Sequence, residues 1–172
     1  MEFNPSRDSN DFINGDDVPE NDRHRYIKLG NVLHNVFAHI RTTADIEPQL
    51  RQLEQDGVIY SDELSAADLR RSIERAMDNP QVQDWFSPRW RLYNECTIIQ
   101  SDGNKIIEHR PDRVMTDGNQ WIVVDFKFGQ RNDSDYITQV GKYMELVRQM
   151  GGKNVSGFIW YVMRNEIVPV QA

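Results

Sequence analysis

The 172 residues are 38% hydrophobic, enough for one domain with a core of its own, and Lys+Arg 20 against Asp+Glu 27 leaves a net charge of −7, which taken alone argues against a nucleic-acid partner. The single cysteine, Cys96, excludes an internal disulfide and any four-cysteine zinc or iron–sulfur site, and it fits a reducing compartment. No apolar run approaches the ~18 residues of a membrane span, and MEFNPSRDSNDF has neither the basic start nor the apolar stretch of a signal peptide; a soluble, cytoplasmic protein with no membrane partner is expected.

The charge is unevenly spread. Residues 1–24 hold Glu2, Asp8, Asp11, Asp16, Asp17, Glu20 and Asp22 against Arg7 and Arg23. That segment carries −5 of the −7, so the rest of the chain carries only −2. Residues 1–24, polar and nearly free of aliphatic side chains, read as a flexible acidic lead-in, and 25–172 as the folded domain. A local basic cleft remains open to that nearly neutral part.

From Tyr26 to Arg41, the spacing of Leu29, Val32, Leu33, Val36, Phe37 and Ile40 predicts an amphipathic helix. A second helix is expected over Ile46 to Gln55, closed by Gly57. Ser61 and Leu64 open a third, SDELSAADLRRSIERAM, which stops at Asn79-Pro80 because the residue before proline avoids the helical region. A short helical piece, PQVQDWF, follows.

After Pro88 the period shifts toward strands. RLYNECTII, KIIEHRPDRVMT and QWIVVDFKF are separated by SDGN and DGN, both turn signals, and read as three consecutive antiparallel strands. DYITQVGKYMELVRQM returns to helix, with Ile137, Val140, Met144 and Val147 on one stripe and Gly151-Gly152 as the stop. VSGFIWYVM reads as a buried strand, and EIVPV as a short partner whose Pro169 marks an edge or an end. The expected architecture is α+β, a mixed central β-sheet flanked by helices.

In WIVVDFKF the alternation turns Ile122, Val124, Phe126 and Phe128 one way, and Trp121, Val123, Asp125 and Lys127 the other. Asp112 lies on the preceding strand, across the DGN turn, and is expected to approach Asp125. Two carboxylates held together repel unless a cation sits between them. A hard ion such as Mg²⁺ suits the place, since it takes one or two carboxylates plus phosphate oxygens. A neighbouring lysine would orient a water and stabilise charge developing on phosphate, so the chemistry expected is phosphodiester hydrolysis. The plainer reading has Asp112 capping a turn and Asp125 pairing with Lys127 or Arg113 on an ordinary amphipathic strand.

Pro111-Asp112 followed by Asp125-Phe126-Lys127 resembles the PD-(D/E)xK nuclease superfamily, and within it the RecB/AddA-type exonuclease domains of UvrD/RecB-like helicase–nucleases. LGNVLHNVF, with Gly30 and His34, is similar to that family's first-helix motif, NECTII, with Glu95, to its glutamate strand, and QVGKY, with Gln139 and Tyr143, to its Gln-x-x-x-Tyr helix. The resemblance implies a restriction-endonuclease-like core over roughly residues 28–172. It further implies a metal bound by His34, Asp112, Asp125 and the Phe126 carbonyl, with Asp112, Asp125 and Lys127 catalytic. Gln139 and Tyr143, at i and i+4 on one helix face, would contact DNA or shape the site, and Glu95 would stand behind or beside the ligands; the plainer readings are a helix surface packed beside the sheet and an ordinary strand-surface acid. His109 reads instead as a satisfied or exposed histidine, and most of Trp85, Trp90, Trp121 and Trp160 as core.

The chain has no G-x-x-x-x-G-K-[ST] loop and thus no ATP motor, and it lacks the cysteines of iron–sulfur relatives. A helicase motor would act on it in cis or in trans, the chain being either a module of a longer protein or a protein acting alone. The activity implied is that of a Mg²⁺- or Mn²⁺-dependent DNA exonuclease on ends or single strands, in repair or recombination. The competing function is a catalytically silent nucleic-acid-binding or docking module of the same fold.

Overall fold

The computed structural model describes residues 20–59, 64–93 and 97–171. They fall into two compact units, each discontinuous in the chain.

The first unit comprises described residues 20–86 with Lys127–Arg131 and Tyr161–Asn165 and is helical. α1 (Glu20–His39) buries Val32, Leu33, Val36 and Phe37, with Ile40 just beyond its end. It begins at Glu20, inside the segment expected to be lead-in, and residues 1–19 of that lead-in lie outside the described residues. α2 (Ile46–Gln55) has the expected bounds. Gly57 closes it at φ +71°: its N–H bonds the Glu54 carbonyl at 3.1 Å and the Val58 N–H reaches back to Leu53 at 2.9 Å, the paired bonds of a Schellman stop.

α3 (Ala66–Met77) starts later than expected. The reason is its cap: the Ser65 hydroxyl accepts the Asp68 N–H while the Asp68 carboxylate accepts the Ser65 N–H, a reciprocal box that fixes the first turn at Ala66; Ser61, expected to open the helix, lies outside the described residues. Asn79 caps α4 (Pro80–Trp85), with Pro80 in the first-turn position that needs no N–H. Phe37 and Phe86 meet at 5.7 Å between ring centres, in a core shared with Leu50, Leu69, Ile73 and Trp85.

The second unit holds the strands, save for the last residues of two of them, Lys127 and Tyr161, which count with the first. β1 (Arg91–Leu92), β4 (Arg113–Thr116), β5 (Trp121–Lys127), β6 (Val155–Tyr161) and β7 (Glu166–Val170) form a five-stranded sheet in the order β1-β4-β5-β6-β7, while β2 (Ile98–Asp102) and β3 (Lys105–His109) form a sheet of two. This corrects the expectation of three consecutive strands: RLYNECTII and KIIEHRPDRVMT each split in two. The second breaks at Pro111, which has no N–H to give a ladder, so among the described residues β3 pairs with β2 alone and β4 starts afresh at Arg113. Pro169 sits on edge strand β7, as expected.

Neighbouring strands β5 and β6 are joined by α5 (Asp133–Gln149), the helical crossover that links parallel neighbours and makes the sheet mixed. α5 buries Tyr136, Val140, Tyr143, Met144, Leu146 and Val147, whereas Ile137 is 36% exposed. The stripe is rotated relative to the expected one because two tyrosines, rather than Ile137, complete the face turned to the sheet. At Gly157 the helix comes so close to β6 that an added methyl would lie 2.8 Å from Val140 Cγ1. Among the described residues no helix is long and apolar enough to cross a membrane.

Candidate active site

Two carboxylates come level on adjacent strands where β4 begins. The β4–β5 register pairs Val114 with Val123 and Arg113 with Val124; carried one residue further, it sets Asp112 level with Asp125. Cross-strand partners point to the same side of a sheet with Cβ atoms about 4.5–5.5 Å apart. Both side chains are therefore on the face of Val114 and Val123, and both are buried, at 8% and 3% exposed.

Asp112 Oδ2 accepts the Phe126 N–H at 2.7 Å, a charge-assisted bond made where the ladder ends at Pro111. Two carboxylates placed so close and so dry can both ionise only with a compensating cation beside them. Lys127 is 3% exposed and alternates back to Asp125's face of β5. Its carbonyl accepts the Val162 N–H at 2.9 Å.

Arg113 points to the opposite face of β4 from Asp112 and is completely buried. Burial pushes its pKa down to about 9, which leaves it charged at neutral pH. From sequence alone Arg113 is expected only as a partner for Asp125. Nothing in residue order marks an arginine as fully buried, although its position between Asp112 and the apolar Val114-Met115 pair is a hint.

α5 supplies the flank. Tyr143, 6% exposed, meets the His109 ring edge-on at 6.3 Å between centres, and Gln139 lies half-buried one turn earlier. His109 Nε2 is 3.2 Å from Gln100 Oε1, and burial, then the Lys142 charge, pushes its pKa below the usual histidine range. It is a satisfied histidine, one of the two expected readings, and it stands two residues ahead of Pro111. Trp85, Trp90 and Trp160 are buried, and Trp121 is half-buried and stacked on Tyr93.

The residues that carry this geometry, Pro111-Asp112 and Asp125-Phe126-Lys127, lie within residues 12–170, the span that matches the PD-(D/E)XK nuclease superfamily. The chain belongs to this superfamily. PD-(D/E)XK nucleases generally use divalent metals, and the nuclease fold implies a nucleic-acid substrate. A solved structure described as "Putative exonuclease" from Eubacterium rectale superposes with a TM-score of 0.54 at 13% identity, over 86% of this chain and 59% of that one. The chain thus spans under two thirds of that protein's length, and the likeness is one of fold. No curated protein matches the sequence.

As a PD-(D/E)XK metal site, the donor set consists of two buried carboxylates. Among the described residues no group of three or more His, Cys, Asp or Glu is arranged to hold a metal. Two carboxylates nonetheless fit a hard ion of the Mg²⁺ type, which fills the rest of its shell with water and phosphate oxygens. Phe126 turns its ring to the other face, edge-on to Trp160 at 5.5 Å, so whatever it offers the carboxylates comes from its backbone.

His34 belongs to the first unit. It is half-buried on α1, its ring edge-on to Phe128 at 5.9 Å, between buried Gly30 and Ala38 on successive turns. Glu95 lies outside the described residues.

Proposed function

We propose that this PD-(D/E)XK protein is a Mg²⁺- or Mn²⁺-dependent deoxyribonuclease that acts on DNA ends or single strands. The observation that carries the reading is the buried, opposed pair Asp112 and Asp125 on adjacent strands, with Lys127 next on the same face. Asp112 and Asp125 would hold the ion, aided by the Phe126 carbonyl and by His34 as the resemblance implies. When bound, a divalent ion supplies a nucleophilic water at neutral pH and neutralises phosphate charge.

The chain's own groups do the remaining work. The Phe126 N–H fixes the Asp112 carboxylate, so its second oxygen is presented in one direction. Lys127, buried on rigid strand, orients the attacking water and donates to the phosphate oxygen on which charge builds. Gln139 and Tyr143 line the approach on α5, and Glu95 would support the ligands from behind. The Gly30/His34 and Gln139/Tyr143 motifs support the exonuclease variant of this chemistry, in which a helicase motor works in cis or in trans during repair or recombination. The Eubacterium rectale structure that shares the fold is itself described as a "Putative exonuclease", which is consistent with this reading.

The test is incubation of the purified chain with end-labelled linear, circular and single-stranded DNA in Mg²⁺, Mn²⁺ or EDTA. Release of short products from linear and single-stranded DNA, abolished by EDTA, is expected. His34→Ala should raise the Mn²⁺ concentration needed while leaving the melting temperature of the metal-free protein in place. Binding of DNA with no cleavage under any metal would favour the docking module.

A further inference from the structure

The helical unit has a pocket of about 350 Å³, formed by one face of α1, one face of α3, Leu64, and the turn after β6. Its floor is apolar: Leu33 and Leu64 are each 1% exposed and Val162 is 4% exposed. Its rim is cationic. Asp68, Arg71 and Arg75 follow at i, i+3 and i+7 and so share a face of α3, opposite Arg25 and Tyr26 of α1.

Asp68 organises that rim. Its carboxylate accepts from Ser65 Oγ at 3.0 Å, pairs with Arg71 one turn along α3, and reaches Arg25 on α1 at 3.4 Å. Two guanidiniums from different helices are thereby tethered to one anchored anion, so less freedom is lost when they take up a ligand. Arg75 makes no ion pair among the described residues. Three arginines against Asp22 and Asp68 leave the lining at +1, in a chain whose net charge is −7. Beside them Tyr26 is 51% exposed, an aromatic ring presented rather than packed.

Planar guanidinium forks suit phosphate, an accessible aromatic ring next to them suits a base face, and the combination is how single strands are held without sequence preference. The volume is at the small end of the roughly 300–1,000 Å³ of ligand pockets, room for one nucleotide and too little for a folded partner. We propose that this pocket binds one nucleotide of a single-stranded nucleic acid, the base against Tyr26 and the apolar floor and the flanking phosphates on Arg71 and Arg75. The proposal rests on the nuclease reading for its substrate class, but it uses none of the carboxylate site's residues.

The test is fluorescence anisotropy of a short labelled single-stranded DNA with the full chain in EDTA, repeated over a range of salt concentrations. Tyr26→Ala should weaken binding by about 5–150-fold, the range of one lost base stack, and leave the salt dependence unchanged. Arg75→Ala should flatten the slope of log K against log salt by about 0.7, one phosphate contact on a single strand, and Arg75→Lys should restore it. An abasic strand should bind Tyr26→Ala and wild type equally. Wild-type affinity in both alanine variants, no binding by wild type, or equal competition by polyglutamate would overturn the assignment. Wild type that binds with these signatures but cuts nothing in Mg²⁺ or Mn²⁺ would remove the catalytic reading and leave the pocket standing. Wild type that cuts, with both variants binding normally, would do the reverse.

Discussion

The tripeptide Asp-Gly-Asn turns the chain twice, at Asp102-Gly103-Asn104 and at Asp117-Gly118-Asn119, and the two hairpins that result have opposite fates. In β2–β3, Asp102 pairs directly with Lys105 and Gly103 (φ +59°) leads a two-residue turn. Among the described residues the hairpin pairs with no further strand, and Ile99 and Ile106 on its outer face are 67% and 74% exposed. In β4–β5 the loop is longer, closed by Asp117 Oδ1 accepting the N–H groups of Asn119 and Gln120 at 2.9 and 3.0 Å. Both strands have further neighbours, β1 and β6, and every residue from Ile122 to Lys127 is buried. A turn tripeptide makes a hairpin. Whether that hairpin is core or appendage depends on flanking strands and on apolar continuity, and only the buried one can force two carboxylates together.

The largest expected effect separates the acids of the two hairpins. Asp112→Ala or Asp125→Ala should take cleavage below detection with the fold retained, and Lys127→Ala should lower the rate on the order of 10²–10⁴ while metal still binds. Glu108→Gln on exposed β3 should leave the rate within about twofold. Initial rates on labelled DNA, with calorimetric metal titration of each variant, provide the check. Equal losses from Glu108 and Asp125 would erase the contrast, and a parallel fall of metal affinity and rate in Lys127→Ala would make the lysine an organiser of the site.

A smaller effect concerns stability. Ile122→Ala in β5 removes a side chain only 8% exposed and should cost about 2–5 kcal/mol. Ile106→Ala removes one that is 74% exposed and should stay within about 0.5 kcal/mol. Urea unfolding of both variants sharpens the comparison; a large loss from Ile106→Ala would show that the hairpin's outer face is covered in solution.

The smallest concerns the turn itself. The Asp117 carboxyl is pushed from its ordinary value of 3.8 down to about 2, first by the Gln120 side chain, then by the two backbone N–H groups, with Arg89 at 3.2 Å assisting. A folded-state pKa below the unfolded one stabilises above the unfolded value and loses that contribution as pH falls through the folded one. Wild type should therefore melt slightly above Asp117→Asn at pH 5 to 7, the two converging between about pH 4 and 2. Parallel melting curves over that window would mean that the turn's charge does not contribute.

Much of this was legible beforehand, for local reasons. The α2 bounds follow from Gly57, whose positive φ is a property of the residue, and the alternation of Asp125 and Lys127 follows from strand geometry. What escaped depends on partners distant in sequence. The split at Pro111 into two sheets turns on which strand receives a ladder, and the burial of Tyr136 and Tyr143 in place of Ile137 on where α5 lies against β6. Arg113 is hidden by the same logic, since a charged residue becomes core only when the sheet closes over it. For the site, the opposition of Asp112 to Asp125 was readable from the hairpin spacing. His34's half-buried place beside Phe128 was not, because it brings together residues nearly a hundred positions apart.

The break at Pro111 also gives the chain somewhere to grow. The β2–β3 hairpin is anchored at its root, where Ile98 and His109 are buried, and open at its tip, where Gly103 has nothing within 4 Å of an added methyl. Residues inserted at that tip would extend outward at a closure cost of only about 0.6 kcal/mol per doubling of the loop, and the β4–β5 register would be untouched. Length variation and catalytic geometry are thereby uncoupled: what stands next to the carboxylates can diversify while the carboxylates stay where they are.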